Sequence, residues 1–253
     1  MKKLKQLACG LLAAALLVCV LPAAGAAGAG EGQPVPQAGG TGAAPAAAGD
    51  GYTEWDGTSA LPASGKVRLT QDVTQASDEV LTLTGDLTID LNGHTFGDAF
   101  TPQFTVPAGV VLTVEDGSAG QTGMLCAPGL GQPFITVNGG CFTMKGGTLK
   151  NSTTREAVLV TNGGKAVLQG GSITGKTTER DVAQVFVQGT GSEFTMSGGT
   201  LTQEFNGGAG GSACPVLKLE NGAVGNITGG TVSNKAGETG CAAVKVCYNS
   251  TVN

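Results

Sequence analysis

From residue 104 to residue 246, apolar side chains recur in pairs separated by a single residue. Six pairs set the pattern: Phe104/Val106, Ile135/Val137, Val158/Val160, Val185/Val187, Leu217/Leu219 and Val244/Val246. After a short turn a second pair follows, as Leu112/Val114, Phe142/Met144, Ala166/Leu168, Phe194/Met196 and a weak Gly225/Ile227. One more apolar residue closes the unit: Leu149, Ile173, Leu201 or Val232. Alternation with period two predicts strands with one buried face. Each unit therefore reads as three short strands with about five inward side chains. So few can form a core only if neighbouring units cover both open faces.

The units carry a shared signature. TVEDGSA at 113–119 is followed by TMKGGTL, VLQGGSI, TMSGGTL and NITGGTV. The glycines Gly117, Gly147, Gly171, Gly199 and Gly230 are spaced by 30, 24, 28 and 31 residues. Helical repeats hold their length, whereas a β-solenoid keeps its strands and varies its loops. The glycine pairs predict corners where the backbone needs φ > 0. Asn138-Gly139, Asn162-Gly163 and Asn221-Gly222 predict a second set of turns. Outward positions Thr113, Thr143, Val167, Thr195 and Asn226 would stack into a mostly threonine ladder, as β-propensity on a wet face favours.

Val67 to Leu69 and Val80 to Phe96 obey the same rules. The reading is all-β, a right-handed parallel β-helix of roughly seven coils, with no apolar period of helix length. The sequence stops at Thr251-Val252-Asn253, before the next glycine corner. That predicts an uncapped C-terminal end, covered by further chain (the favoured expectation) or by a partner stacked end to end.

The N-terminus has a different logic. Lys2, Lys3 and Lys5 precede an apolar run from Leu7 to Leu21, then Pro22 and Ala24-Gly25-Ala26. This is the layout of a signal peptide over 1–26, and the run is short for a membrane span of roughly 20 residues. Cys19 follows Val18 rather than a small residue, which argues against lipidation. Residues 27–51 are nearly all Ala, Gly and Pro and read as a disordered linker before a β-helix domain at 52–253. The formal charge is −5, and removing the three signal lysines leaves −8. Such a chain repels nucleic acid and anionic lipid. No membrane span is expected after residue 26, and the expected location is extracellular, secreted or on the cell surface.

Thr53-Glu54-Trp55-Asp56, Leu61-Pro62, Val67 to Val73 and Leu87 to Thr95, together with the glycine-glycine repeats, resemble secreted pectin-lyase-like β-helix repeat proteins of Gram-positive gut bacteria. The resemblance covers about residues 52–253. It implies an adhesin-like or carbohydrate-associated surface protein. The same fold also hosts polysaccharide lyases and polygalacturonases, so it does not decide the activity.

Catalysis by such relatives needs clustered carboxylates with a basic residue in reach, or a carboxylate pair at a set separation. The candidates are Arg155-Glu156 in one loop and Glu179-Arg180-Asp181 in the next. A solvated ion-pair ladder is the favoured reading of them, since no histidine, tyrosine or second acidic pair converges there. No cofactor or metal site is predicted. His94, the only histidine, sits in a turn, and Gly207 to Ser212 lacks the aspartate of a calcium-binding nonapeptide. Five of seven cysteines follow the signal, and Cys214 and Cys241, 27 residues apart, stack closely enough for a disulfide or for two reduced thiols. Trp55 is expected to cover the first coil.

The connections near 119–134, 150–157, 174–184, 202–216 and 233–243 vary in length, which marks a binding face. The leading expectation is a non-enzymatic surface module that binds a glycan or a host or bacterial surface polymer. A glycan-active enzyme is the alternative, and a structural spacer is the third reading.

Overall fold

A computed structural model describes residues 49–74, 79–97, 102–127, 131–152, 154–176, 181–205, 214–235 and 242–253. All fall within one compact unit, Ala47–Asn253. The segment expected to be a signal peptide, 1–26, and most of the expected linker, 27–51, lie outside the described residues.

The strands form three parallel sheets. The nine-stranded sheet runs Thr53–Trp55, Gly65–Leu69, Leu87–Asp90, Val111–Glu115, Cys141–Met144, Lys165–Leu168, Glu193–Met196, Val224–Ile227 and Thr251–Val252. The six-stranded sheet comprises Thr95–Phe96, Met124–Cys126, Thr148–Asn151, Ser172–Lys176, Thr200–Phe205 and Thr231–Asn234. The seven-stranded sheet comprises Val80–Thr82, Gln103–Pro107, Ile135–Asn138, Val158–Thr161, Val185–Gln188, Leu217–Glu220 and Val244–Val246. From Leu87 onward the chain visits the nine-, six- and seven-stranded sheets in rotation, pairing each strand with its counterpart one turn away. This is a parallel β-solenoid, as the alternation predicts.

The turn count is lower than the seven expected. Five turns, from Val111 to Val246, place a strand of three or more residues in every sheet. The turn before them keeps only Thr95–Phe96 in the six-stranded sheet, and the one before that keeps a single bridge, Val73 to Phe96. Thr53–Trp55 and Gly65–Leu69 are neighbours in one sheet, so that stretch adds no full coil.

The predicted inward residues stack in register. Phe104, Ile135, Val158, Val185, Leu217 and Val244 form one column. Leu112, Phe142, Ala166, Phe194 and Gly225 form another, and Leu125, Leu149, Ile173, Leu201 and Val232 a third. Most are fully buried, while Val232 and Val244 are only partly covered. Trp55 is buried, with its ring edge-on to Phe96 at 5.0 Å between centroids. It thus packs inside the first turns, covering them as expected. The core also holds amides: Asn151 Nδ2 donates to Gln184 Oε1 at 3.1 Å, and Gln184 Nε2 donates to Gln203 Oε1. Paired in this way, their burial costs little.

The corners explain the varying repeat. From the nine- to the six-stranded sheet the last four connections are three residues each, 145–147, 169–171, 197–199 and 228–230. The second glycine of each has positive φ. A Cβ on Gly171 (φ 73°) would sit 2.5 Å from the carbonyl oxygen of Gly147 one turn below. The first copy differs. Its connection is 116–123, and Gly123, not Gly117, is the stacking counterpart of Gly147, since Thr148 N donates to Gly123 O. Gly117 has no positive φ. Asp116 takes over the corner there. Its Oδ1 accepts the amides of Gly93 and Ser118 at 2.9 and 3.0 Å, and its Oδ2 that of Gly123 at 2.6 Å. Of the Asn-Gly turns, Asn162 and Asn221 have positive φ, but Asn138 ends its strand extended and leaves the turn to Gly139.

Candidate functional site

Between the six- and seven-stranded sheets the connections range from six residues (97–102 and 152–157) to eleven (206–216). The other corners of the five full turns, apart from 116–123, hold two to four residues. The length variation predicted from sequence is therefore concentrated at one corner, beside the outer face of the seven-stranded sheet.

That outer face carries Thr105, Thr136, Leu159, Phe186, Lys218 and Lys245 in one register column. Strand alternation sends them outward because their neighbours Val106, Val137, Val160, Val187 and Leu219 are fully buried. Leu159 and Phe186 form a half-buried apolar step, and Lys218 lies over the Phe186 ring with its Nζ 4.7 Å from the centroid. Asp181, within the 177–184 connection, reaches over this column from a positive φ of 65°. Its Oδ2 accepts from Lys218 Nζ at 2.9 Å and its Oδ1 from Lys245 Nζ at 2.5 Å. Glu220 adds a second carboxylate 3.4 Å from Lys218.

The electrostatics follow from this geometry. Burial opposes ionisation of Asp181, but hydrogen bonds from Lys245 and Lys218 outweigh it and hold the carboxyl below its ordinary range. Burial likewise opposes the charge on Lys218. The Asp181 hydrogen bond and the charges of Asp181 and Glu220 prevail, raising its pKa. The lysine is fixed as a cation, and its side chain is only 11% exposed. The result is an aromatic step edged by a carboxylate and two ammonium groups whose positions are set in advance.

Of the sequence candidates, Asp181 belongs to this patch. Arg155 and Glu156 pair with each other, Nε to Oε2 at 3.3 Å, and Glu156 is buried at the six- to seven-stranded corner. Glu179 and Arg180 lie outside the described residues. Cys214 is buried, and its carbonyl accepts from Asn234 Nδ2 at 2.9 Å. Cys241, its candidate partner, lies outside the described residues. His94 sits 3.5 Å from Asp72.

Lys218 and Lys245 were not legible as partners of Asp181, because only the stacking brings together residues 37 and 64 positions apart. A second cluster was hidden for the same reason. On the outer face of the nine-stranded sheet, Arg68 pairs with Asp50 at 2.5 Å and Asp90 at 2.8 Å. The Tyr52 ring lies 4.5 Å from the Arg68 guanidinium, and its hydroxyl donates to Glu115. Burial and the Glu115 carboxylate push the Tyr52 phenol well above its ordinary range. The predicted ladder, Thr113, Thr143, Val167, Thr195 and Asn226, stacks in register on this same face.

Comparison with models of protein families, with curated proteins and with solved structures gives no match for this chain.

Proposed function

We propose that this chain is a secreted or cell-surface binding module that holds a glycan on the outer face of its seven-stranded sheet, without cleaving it. The observation that carries the reading is the Phe186–Lys218–Asp181 arrangement. The half-buried apolar step of Leu159 and Phe186 suits the C–H face of a sugar where Lys218 leaves it open, and the fixed charged groups beside it suit the hydroxyls. The patch lies beside the corner of variable length, where solenoids commonly place ligand contacts. Export is supported by the Lys2 to Ala26 sequence, and the adhesin-like, pectin-lyase-like reading by the resemblance of residues 52–253.

The acidic groups support binding over catalysis. A general acid at neutral pH needs a raised pKa, whereas that of Asp181, the candidate carboxylate on this face, is lowered by the lysines around it. Asp181 is also engaged on both oxygens by lysines. The test is incubation of the purified protein with pectins, mucin glycans and bacterial wall polymers, followed by product analysis. Retained but intact polymer is the expected result. New reducing ends or unsaturated products, lost in Asp181→Asn, would replace this reading with a polysaccharide-active enzyme.

A further inference from the structure

The outer side of the six-stranded sheet carries a separate cavity of about 380 Å³, at the low end of volumes for small-ligand sites. Its floor is the strand Met124–Cys126, where Met124 and Cys126 face outward because Leu125 between them is fully buried. Thr95 lies on the next strand, and residues 72–74 extend the floor by one more parallel row. That row is fixed to the sheet: Val73 N donates to Thr95 O and Gly97 N to Val73 O, both at 2.8 Å.

Opposite charges stand at the two sides. Asp72 is 76% exposed, and its Oδ1 accepts the Thr95 amide at 2.8 Å and lies 3.5 Å from His94 Nδ1. Among the described residues no hydrogen bond or ion pair engages Asp72 Oδ2. Lys150, the register partner of Cys126, lines the other side, is exposed, and has no ion-pair partner among the described residues. Three strand spacings separate them, from Val73 through Phe96 and Leu125 to Leu149. At the usual sheet repeat this is about 14 Å across the strands, and Lys150 is offset by two residues along them, since the row of Asp72 ends at Thr148, so the two Cα atoms stand about 16 Å apart. An extended chain advances at most about 3.6 Å per residue, so a free amino acid is too short and a peptide of roughly three residues, with the reach of both side chains, spans the gap.

We infer that this cavity binds a short peptide with free ends, its ammonium on Asp72 and its carboxylate on Lys150. Thr74 and Thr95 also line it and bring hydroxyls that can pair with its amides, and the Met124 thioether gives a pliable apolar floor for a small side chain. Charge complementarity fixes the direction of the ligand. The inference stands on different residues from the glycan face and does not depend on it.

The experiment is calorimetric titration of the full chain with trialanine, N-acetyl-trialanine and trialanine amide. Trialanine is expected to bind, and each capped form to bind at least about tenfold more weakly. Asp72→Asn should erase the preference for the free amine and leave the preference for the free carboxylate. Lys150→Gln should do the reverse, and unchanged melting temperatures would show that both variants fold. Absence of binding by trialanine up to millimolar concentration, or equal binding of the capped and free peptides, would overturn the inference.

Discussion

Lys218 lies over the ring of Phe186, its register neighbour, with the ammonium 4.7 Å from the ring centroid. The contact is sustained by Asp181 at 2.9 Å, which orients the lysine from outside the sheet. An aromatic face and a preset cation are thereby held together on a rigid strand pair, so that little ordering remains to be done on binding.

Replacing Phe186 with Ala should weaken polymer binding by about tenfold or more, because stacking of this kind contributes on the order of 1–2 kcal/mol. The side chain is half-buried on an outer face, so stability should fall far less than for a core aromatic. Binding isotherms beside melting curves separate the two effects.

Asp181→Asn should leave Lys218 and Lys245 as neighbouring cations with a weaker acceptor between them. Because Asp181 is 40% exposed, solvent screening limits the stability cost to about 1 kcal/mol or less. Binding should suffer more than stability, since Lys218 loses its orientation over the ring. A variant that melts several degrees lower yet binds normally would contradict this division.

Acid should act first at the corners. Burial opposes ionisation of Asp116, but hydrogen bonds from Ser118, Gly123 and Gly93 outweigh it and lower its pKa from the ordinary 3.8. Asp181 is lowered as well. A carboxylate with a depressed folded-state pKa contributes stability above its unfolded value and loses it as pH falls through the folded value. Melting temperature should therefore fall only below about pH 4, as the pH drops through these lowered values. Asp116→Ala should remove most of the Asp116 share and cost about 2–3 kcal/mol at neutral pH, since three amides lose a charged acceptor.

Two substitutions probe the stack itself. Phe142 is about 1% exposed within a column shared by Leu112 and Ala166, and Phe142→Ala should cost about 3–5 kcal/mol through the cavity left behind. Gly171→Ala should be destabilising by about 1–3 kcal/mol, because its φ of 73° disfavours a side chain and the added carbon would meet the Gly147 carbonyl. Chemical denaturation reads both.

The sequence made the columns legible because a strand repeats every two residues and a solenoid stacks like on like, so Phe142 predicted its neighbours Ala166 and Leu112. The short glycine corners were equally visible. Two things were not. Residues 116–123 hide a corner of the same kind, in which Asp116 supplies acceptors and shifts the stacking glycine to Gly123. The Asp181 and Tyr52 clusters depend on contacts across turns, where connection length sets which charges meet, and no local pattern encodes that.

The central claim is that a β-solenoid face organised around Phe186 and Lys218 holds a glycan. The most direct measurement is retention of the wild-type protein and Phe186→Ala on one array of polysaccharides. The wild type is expected to be retained on at least one polymer, and the variant to lose that retention with only a small fall in melting temperature. Retention of both proteins alike, or of neither on any polymer, would contradict it.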